Sequence, residues 1–146
     1  MNHTRPPLTE QDAAIAWALA HNTLDPMPLA PLLDDDIHVA SQQVWEEMVG
    51  RTEYLAYLQE LFSMGDPLPA GMRMELARTR RHTGSPFPGR PCVIGHIGDE
   101  PVITVFFSVA DGTIRRIEIR TIPPPSCCAR IGIFPGLEEP LLGEVN

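Results

Sequence analysis

Three polar side chains in predicted strands, Ser41, Arg78 and His96, are the candidates for acid-base chemistry in this sequence. A histidine titrates near neutral pH, so His96 paired with Ser41 or with an arginine could serve as an acid or a base. The alternative is that His96 is hydrogen-bonded or exposed and has no catalytic role, as is common for histidines. His38 is out of phase with Val39 and Ser41 along its strand, and we expect it to point outward.

Arg78, Arg80, Arg81 and His82 form a small basic cluster at the predicted end of a strand. Guanidinium groups suit carboxylates and phosphates, so the cluster could hold such a group of a ligand at the rim of a pocket. Arg78, Arg80 and His82 share the phase of the apolar residues before them, which favours an inward role. The alternative is a solvent-exposed basic strand end.

The sequence predicts no metal site and no cofactor. The three consecutive aspartates at 34–36 point in different directions, whereas a hard cation needs oxygen ligands that converge, so a solvated turn is expected. Cys127 and Cys128 lack the spacing of a CxxC motif and have no following histidine, which leaves neither a redox nor a zinc signal. Cys92 lies in an apolar strand and is expected to be a small core residue.

Length and charge limit the classes of partner. The chain of 146 residues is most consistent with one domain. Its net charge of −8 argues against nucleic acid or an anionic membrane, since both require clustered positive charge. No apolar run approaches the roughly 20 residues of a membrane span, the N-terminus has no secretory signal, and three cysteines do not make a disulfide framework. The cytoplasm is therefore the expected location.

The most informative stretch for the fold is residues 101–122, which reads as a β-hairpin. Asp111-Gly112 separates two β-rich runs and is a strong signal for a tight turn, because both residues tolerate positive φ. In the second run, Ile117 and Ile119 alternate with charged residues, so one face is expected to be buried. Further strands are predicted over 37–44, 72–82 and 90–97.

Helices are predicted upstream of these strands. Thr9 is an expected N-cap for a helix that is apolar almost all round, Asp25-Pro26 an expected start for a second, short helix of one or two turns, and Thr52 an expected cap for a third. The expected organisation is a flexible N-terminus at 1–8, a folded domain at 9–122 and a proline-rich tail at 123–146, in which 131–134 could add an edge strand.

This order of elements resembles the nuclear-transport-factor-like superfamily, and most of all its SnoaL-like and ketosteroid-isomerase-like members. The residues that carry the resemblance are the first helix into Asn22 and Asp25, LLDDDIHV at 32–39, GRTEYL at 50–55, and DGTI at 111–114 with Ile117. The resemblance implies an α+β fold in which a curved antiparallel sheet wraps around three N-terminal helices. It also implies a deep apolar pocket at the open end of this cone.

The best-known chemistry of these relatives uses a carboxylate base with a tyrosine and a protonated acid as hydrogen-bond donors. The resemblance places Ser41 at the base position, Trp17 at the tyrosine position and Val105 at the acid position. Serine cannot abstract a proton from carbon without a base of its own, and valine cannot donate a hydrogen bond. The ketosteroid isomerase mechanism is therefore not expected here.

The resemblance also suggests which side chains line the pocket, because aromatic walls with few polar groups are typical of ligand sites. Ordinary core packing is the alternative for each of them. The predicted lining residues are Trp17, Val39, Ser41, Trp45, Tyr54, Leu58, Phe62, Met74, Leu76, Ile94, Val105, Phe107, Ile117 and Ile119.

Three hypotheses for function follow. The first is a protein that binds a small hydrophobic molecule in the cone. The second is a SnoaL-like isomerase, cyclase or hydratase that acts on a hydrophobic substrate. The third is a non-catalytic homodimeric interaction module that uses the outer sheet face, represented by Val102, Thr104 and Phe106. A homodimer through this face is expected, because many members of the superfamily pair in this way.

Overall fold

A computed structural model describes residues 7–41, 46–63, 72–79, 89–121 and 128–137. The predictions for Trp45, Arg80, Arg81, His82 and Cys127 lie outside these residues. In the described ranges the chain has an α+β fold, with two α-helices against a curled seven-stranded mixed sheet. None of the helices described there combines the length and the apolar character that crossing a membrane requires.

The first helix, α1, spans Glu10–Thr23, and its start matches the prediction. The hydroxyl of Thr9 accepts a hydrogen bond from the Asp12 N–H, and the Asp12 carboxylate accepts one from the Thr9 N–H. This reciprocal pair is a capping box, which satisfies two N–H groups at the helix end. The helix ends at Leu24, whose backbone is left-handed.

The expected second helix is a single 3₁₀ turn at Ala30–Leu32, so the described residues contain two α-helices rather than three. Pro26, Pro28 and Pro31 lack the N–H groups that an α-helix needs here. Asp25 is not the cap of this turn, which follows Leu29 without a side-chain cap; its carboxylate accepts a hydrogen bond from the Met27 N–H in the segment before it.

Strand β1, Leu33–Ser41, begins earlier than expected and includes the three aspartates, which were expected to form a solvated turn. Its pairing with β6 is irregular between Leu33 and His38. The Asp34 carboxylate accepts hydrogen bonds from the Asp36 N–H and the Thr113 hydroxyl and forms an ion pair with Arg115. These contacts draw the acidic run into the sheet.

Strand β2, Met48–Val49, was not predicted; it pairs with β1. The second helix, α2, follows at Arg51–Ser63. It begins after Gly50, which has a φ of 108° and accepts a hydrogen bond from the Tyr54 N–H. Thr52 was predicted to cap this helix, but the residue that precedes the helix is Gly50. Glycine suits this position because the backbone turns there with a positive φ.

The remaining strands are β3 at Met72–Thr79, β4 at Pro91–Ile97, β5 at Glu100–Ala110, β6 at Thr113–Arg120 and β7 at Cys128–Arg130. The predicted hairpin is confirmed: Asp111 and Gly112, with φ of 54° and 80°, form the turn between β5 and β6.

The strand order is β2-β1-β6-β5-β4-β3-β7. The sheet is mixed rather than purely antiparallel, because β1 and β6 are parallel. Strand β2, helix α2 and strands β3 to β5 intervene between them, and such a long connection allows parallel pairing.

Both helices contact the concave face of the sheet, α1 against β3 to β5 and α2 against β1 and β2. The main core lies between these layers. A smaller cluster, Ala77, Cys92, Ile94, Phe106 and Cys128, lies on the outer face. Strand β7 pairs with β3, and the hydrogen bonds of Ile131 and Ile133 with Leu76 extend this contact. Residues 128–137, expected to belong to an irregular tail, therefore join the fold.

Candidate functional site

A cavity of about 240 Å³ lies between α1, α2 and the part of the sheet formed by β1, β2 and β6. This is slightly smaller than the roughly 300–1,000 Å³ usual for drug-sized ligands, so it suits a small molecule. Most of its wall is apolar. The residues that line it are Trp17, His21, Val39, Ser41, Glu46, Met48, Tyr54, Tyr57, Leu61 and Ile119.

Five of the predicted pocket residues line this cavity: Trp17, Val39, Ser41, Tyr54 and Ile119. A second group is packed in the main core and does not contribute to the cavity wall. It consists of Leu58, Phe62, Met74, Leu76, Val105, Phe107 and Ile117. Ile94 differs from both groups, because its pairing with Glu75 and Thr104 places it on the outer face of the sheet. Its assignment to the concave side was wrong by one position in strand phase.

The two aromatic residues Trp17 and Tyr54 hold the helices together at the cavity wall. The indole Nε1–H of Trp17 donates a hydrogen bond of 3.0 Å to the Tyr54 hydroxyl oxygen, and both side chains are buried. Burial raises the pKa of Tyr54 well above its ordinary value, so the phenol is neutral. In the described part of the chain no acceptor takes the proton of this hydroxyl.

His21 is the second polar group of the wall. Its ring stacks on Trp17 with centroids 3.7 Å apart and meets Phe62 edge-on. Burial lowers its pKa from 6.5 to about 4, against a smaller opposing effect of its hydrogen bond to the Trp17 carbonyl. Nδ1 lies 3.0 Å from that carbonyl oxygen, which can only accept, so Nδ1 carries the proton. Nε2 is left as an acceptor, and no partner for it occurs within the described ranges.

Sequence reasoning missed His21, although its position contained a signal. Residues four apart in a helix share a face, and His21 follows the predicted pocket residue Trp17 by four positions. The other missed residues, Glu46, Met48, Tyr57 and Leu61, were harder to find. Glu46 and Met48 belong to or adjoin the unpredicted β2, and Tyr57 and Leu61 follow Tyr54 and Leu58 along α2.

The candidate acid-base residues His96, Ser41 and Arg78 do not meet. His96 pairs with Arg73 on the outer face, whereas Ser41 lies beside Ile119 on the concave face. Arg78 is exposed and donates a hydrogen bond to the Gly89 carbonyl. The sheet therefore separates His96 from Ser41, and the predicted combination cannot act on one substrate. His38 is exposed, as expected, and pairs with Glu47.

The outer sheet face that was predicted to form a dimer is partly covered by side chains of the same chain. Thr104 and Phe106 are buried, and the guanidinium groups of Arg90 and Arg120 lie over the Phe106 ring. Of the three residues named for this contact, Val102 alone is half-buried rather than buried. A homodimer through this face stays a prediction.

No protein-family model matches this sequence, and no curated protein matches it. Several solved structures share its fold. An NTF2-like protein of unknown function from Cytophaga hutchinsonii aligns over 80% of this chain and 92% of its own, with 10% identity and a TM-score of 0.53. A SnoaL-like protein of unknown function from Burkholderia thailandensis aligns over 78% and 97%, with 16% identity and a TM-score of 0.53.

An uncharacterized cystatin fold protein from Novosphingobium aromaticivorans aligns over 77% of this chain and 97% of its own, with 18% identity and a TM-score of 0.51. At these identities the similarity concerns the fold alone. The resemblance to this superfamily, first seen in the order of elements, is confirmed at that level.

Proposed function

We propose that this protein binds a small, uncharged and mainly apolar molecule in the cavity between α1, α2 and the concave face of the sheet. The observation that carries the proposal is a cavity of about 240 Å³ whose buried polar side chains are neutral. Charged ligands are disfavoured there because the buried His21 and Tyr54 offer no opposite charge to compensate for lost hydration. The carboxylate of Glu46 also lines the cavity, but it is exposed, so it repels anions and attracts cations only weakly.

Binding has more support than catalysis. A histidine whose pKa is about 4 is a weak base near neutral pH, because efficient proton transfer favours a pKa close to the operating pH. The acid-base combination considered from the sequence is divided between two faces of the sheet. An isomerase, cyclase or hydratase activity would therefore depend on His21 and Tyr54. Because both side chains are neutral, they are better suited to hydrogen-bonding a ligand than to transferring a proton.

The indole N–H resonance of Trp17 offers a direct test, since this group lies at the cavity wall and donates to Tyr54. Titration of the labelled protein with indane, a small neutral bicycle, should shift this resonance and those of other lining residues. Indane carboxylate, of similar shape but charged, should leave them unchanged. Saturable shifts confined to residues away from the cavity, or none up to the solubility limit of indane, would contradict the proposal.

Two matched substitutions in α2 locate the binding. Leu61→Phe adds bulk at the cavity wall, and Leu55→Phe adds the same bulk to a partly buried residue outside the lining. We expect the first to weaken indane binding by about tenfold, equivalent to about 1.4 kcal/mol, and the second to leave it unchanged. Equal effects of both variants would show that the probe binds elsewhere.

A further inference from the structure

Two buried polar side chains among the residues that line the cavity have unused hydrogen-bonding capacity. The Tyr54 hydroxyl accepts a hydrogen bond from Trp17, and its own proton has no acceptor among the residues described. The Nε2 atom of His21 is an acceptor with no donor in the same set. His21 is 8% exposed and Tyr54 2% exposed. Each side chain already makes one hydrogen bond, but buried hydrogen-bonding capacity that is left unused is costly, so a ligand that completes both groups is favoured.

The complementary characters of these two groups are set by the surrounding protein. The Trp17 carbonyl accepts a hydrogen bond from Nδ1–H of His21, which leaves Nε2 able only to accept. The Trp17 indole donates to the oxygen of Tyr54, which leaves its hydroxyl available to donate. Of the residues that line the cavity, these two buried side chains thus offer a ligand one donor and one acceptor.

Trp17 also fixes where the two groups lie. Its ring stacks on His21 at 3.7 Å between centroids, and its Nε1 lies 3.0 Å from the Tyr54 oxygen. The donor and the acceptor therefore flank the same indole, one on each of two helices. Burial keeps both side chains uncharged, which preserves these roles near neutral pH.

We infer that the ligand carries a hydrogen-bond acceptor and a hydrogen-bond donor on one edge of an otherwise apolar body, as a lactam or other cyclic amide does. Its carbonyl accepts from the Tyr54 hydroxyl, and its N–H donates to Nε2 of His21. This inference rests on the proposed function and specifies the chemical class of the ligand.

Three probes of nearly equal shape separate the two contacts. Oxindole has a ring N–H and a carbonyl, its ketone analogue has a methylene in place of the N–H, and indane has neither group. Each neutral hydrogen bond contributes about five- to tenfold in affinity. We expect the ketone to bind about five- to tenfold more tightly than indane, and oxindole to exceed the ketone by a similar factor, in calorimetric or NMR titrations.

Substitutions assign each gain to one residue. In a Trp17→Phe background, which removes the indole N–H that Tyr54→Phe would otherwise leave free to donate to the ketone, Tyr54→Phe should remove the advantage of the ketone over indane. His21→Phe should remove the advantage of oxindole over the ketone. His38→Phe is the matched control for His21→Phe, because His38 is exposed and does not line the cavity; it should leave both advantages unchanged. Indane binding by each variant reports that the cavity is intact.

The outcomes distinguish the inference from the proposed function. If indane, the ketone and oxindole bind with equal affinity, the cavity is a ligand site but the inferred donor and acceptor are wrong. The same conclusion follows if the gains persist in Tyr54→Phe on the Trp17→Phe background and in His21→Phe. If none of the three probes binds, the proposed function itself fails.

Discussion

The Nε2 atom of His96 lies 2.7 Å from Oε1 of Glu75, and both side chains are excluded from solvent. The same carboxylate accepts hydrogen bonds from Nε of Arg130 at 2.7 Å and from the Gly132 N–H at 2.9 Å. Glu75 lies in β3 and therefore connects β4 to the C-terminal segment, residues 128–137. His96, a candidate catalyst in the sequence, is part of a structural contact on the outer face of the sheet.

Glu75→Gln should destabilise the protein by about 2 kcal/mol or more, because its three partners all donate to the carboxylate and the amide NH₂ must face one of these donors in either orientation. Urea denaturation measures the change in the free energy of unfolding. Asp99→Asn is the control, since Asp99 is fully exposed and 4.0 Å from Arg73; its effect should stay within about 0.5 kcal/mol. Equal effects of the two variants would contradict a structural role for Glu75.

The side chain of Asn22 ties the end of α1 to β3 and to the C-terminal segment. Its Nδ2 donates to the carbonyls of Met74 and Pro135, and its Oδ1 accepts from the Met74 N–H. Asn22→Asp replaces this donor with a carboxylate oxygen facing two carbonyls, and should cost about 2–3 kcal/mol. Gln11→Glu makes the same amide-to-acid change in the first turn of α1, where an acid is favourable.

Hydrogen exchange provides the second readout for Asn22→Asp. The Met74 N–H should lose protection in this variant, because its acceptor is the Asn22 side chain. Retained protection at Met74, with wild-type stability, would show that the amide contact is dispensable.

Stability should fall as the solution is acidified, because His21 is buried in its neutral form. Unfolded His21 takes up a proton near its ordinary pKa of 6.5, whereas the folded residue does so only near pH 4. Between these values the unfolded state binds more protons, so the free energy of unfolding decreases as pH falls from about 6.5 to about 4. The loss attributable to this residue is up to about 3 kcal/mol.

His21→Phe keeps an aromatic ring against Trp17 and Phe62 and should flatten this slope relative to the wild type. His38→Phe, which changes an exposed histidine, should retain it because His21 is intact. Chemical denaturation at several pH values between 4 and 7 measures both profiles. Identical slopes in the wild type and His21→Phe would mean that His21 is not the group responsible.

The thiols of Cys92 and Cys128 lie 3.8 Å apart and are both buried. Burial raises the pKa of the Cys92 thiol well above its ordinary value, so almost none of the reactive thiolate is present at neutral pH. In a Cys127→Ser background we therefore expect no reaction with an aromatic disulfide reagent in native buffer and complete labelling of both thiols in denaturant. Rapid labelling of the native protein would contradict the burial of this pair.

Local signals predicted much of the fold. The capping box at Thr9 and the Asp111-Gly112 turn depend on short-range geometry, and both are present. The second helix of the prediction failed because three prolines leave a single 3₁₀ turn. The edge strand β7 lies just before the predicted segment at 131–134. Its position depends on its pairing with β3, which is distant in sequence.

The candidate site was only partly predictable for the same reason. Trp17 and Tyr54 could be selected as large aromatic residues near a pocket, and both line the cavity. Ile94 was assigned to the wrong face and His96 to neither, because a strand with apolar residues on both sides has no clear inward phase. The pairing of β4 with its neighbours places both on the outer face, where the C-terminal segment covers them.

By itself, the sequence determined the helix and strand periodicities, the hairpin and the order of elements that resembles the superfamily, because these depend on neighbours along the chain. The tertiary structure decided the chemistry. In the folded protein His21 is buried against Trp17, the Trp17 indole is hydrogen-bonded to Tyr54, and His96 is hydrogen-bonded to Glu75. Trp17 and Tyr54 are 37 positions apart, and Glu75 and His96 are 21 positions apart, so neighbours along the chain do not determine these contacts. The protonation state of His21 depends on its burial, which only the packing of the folded chain sets.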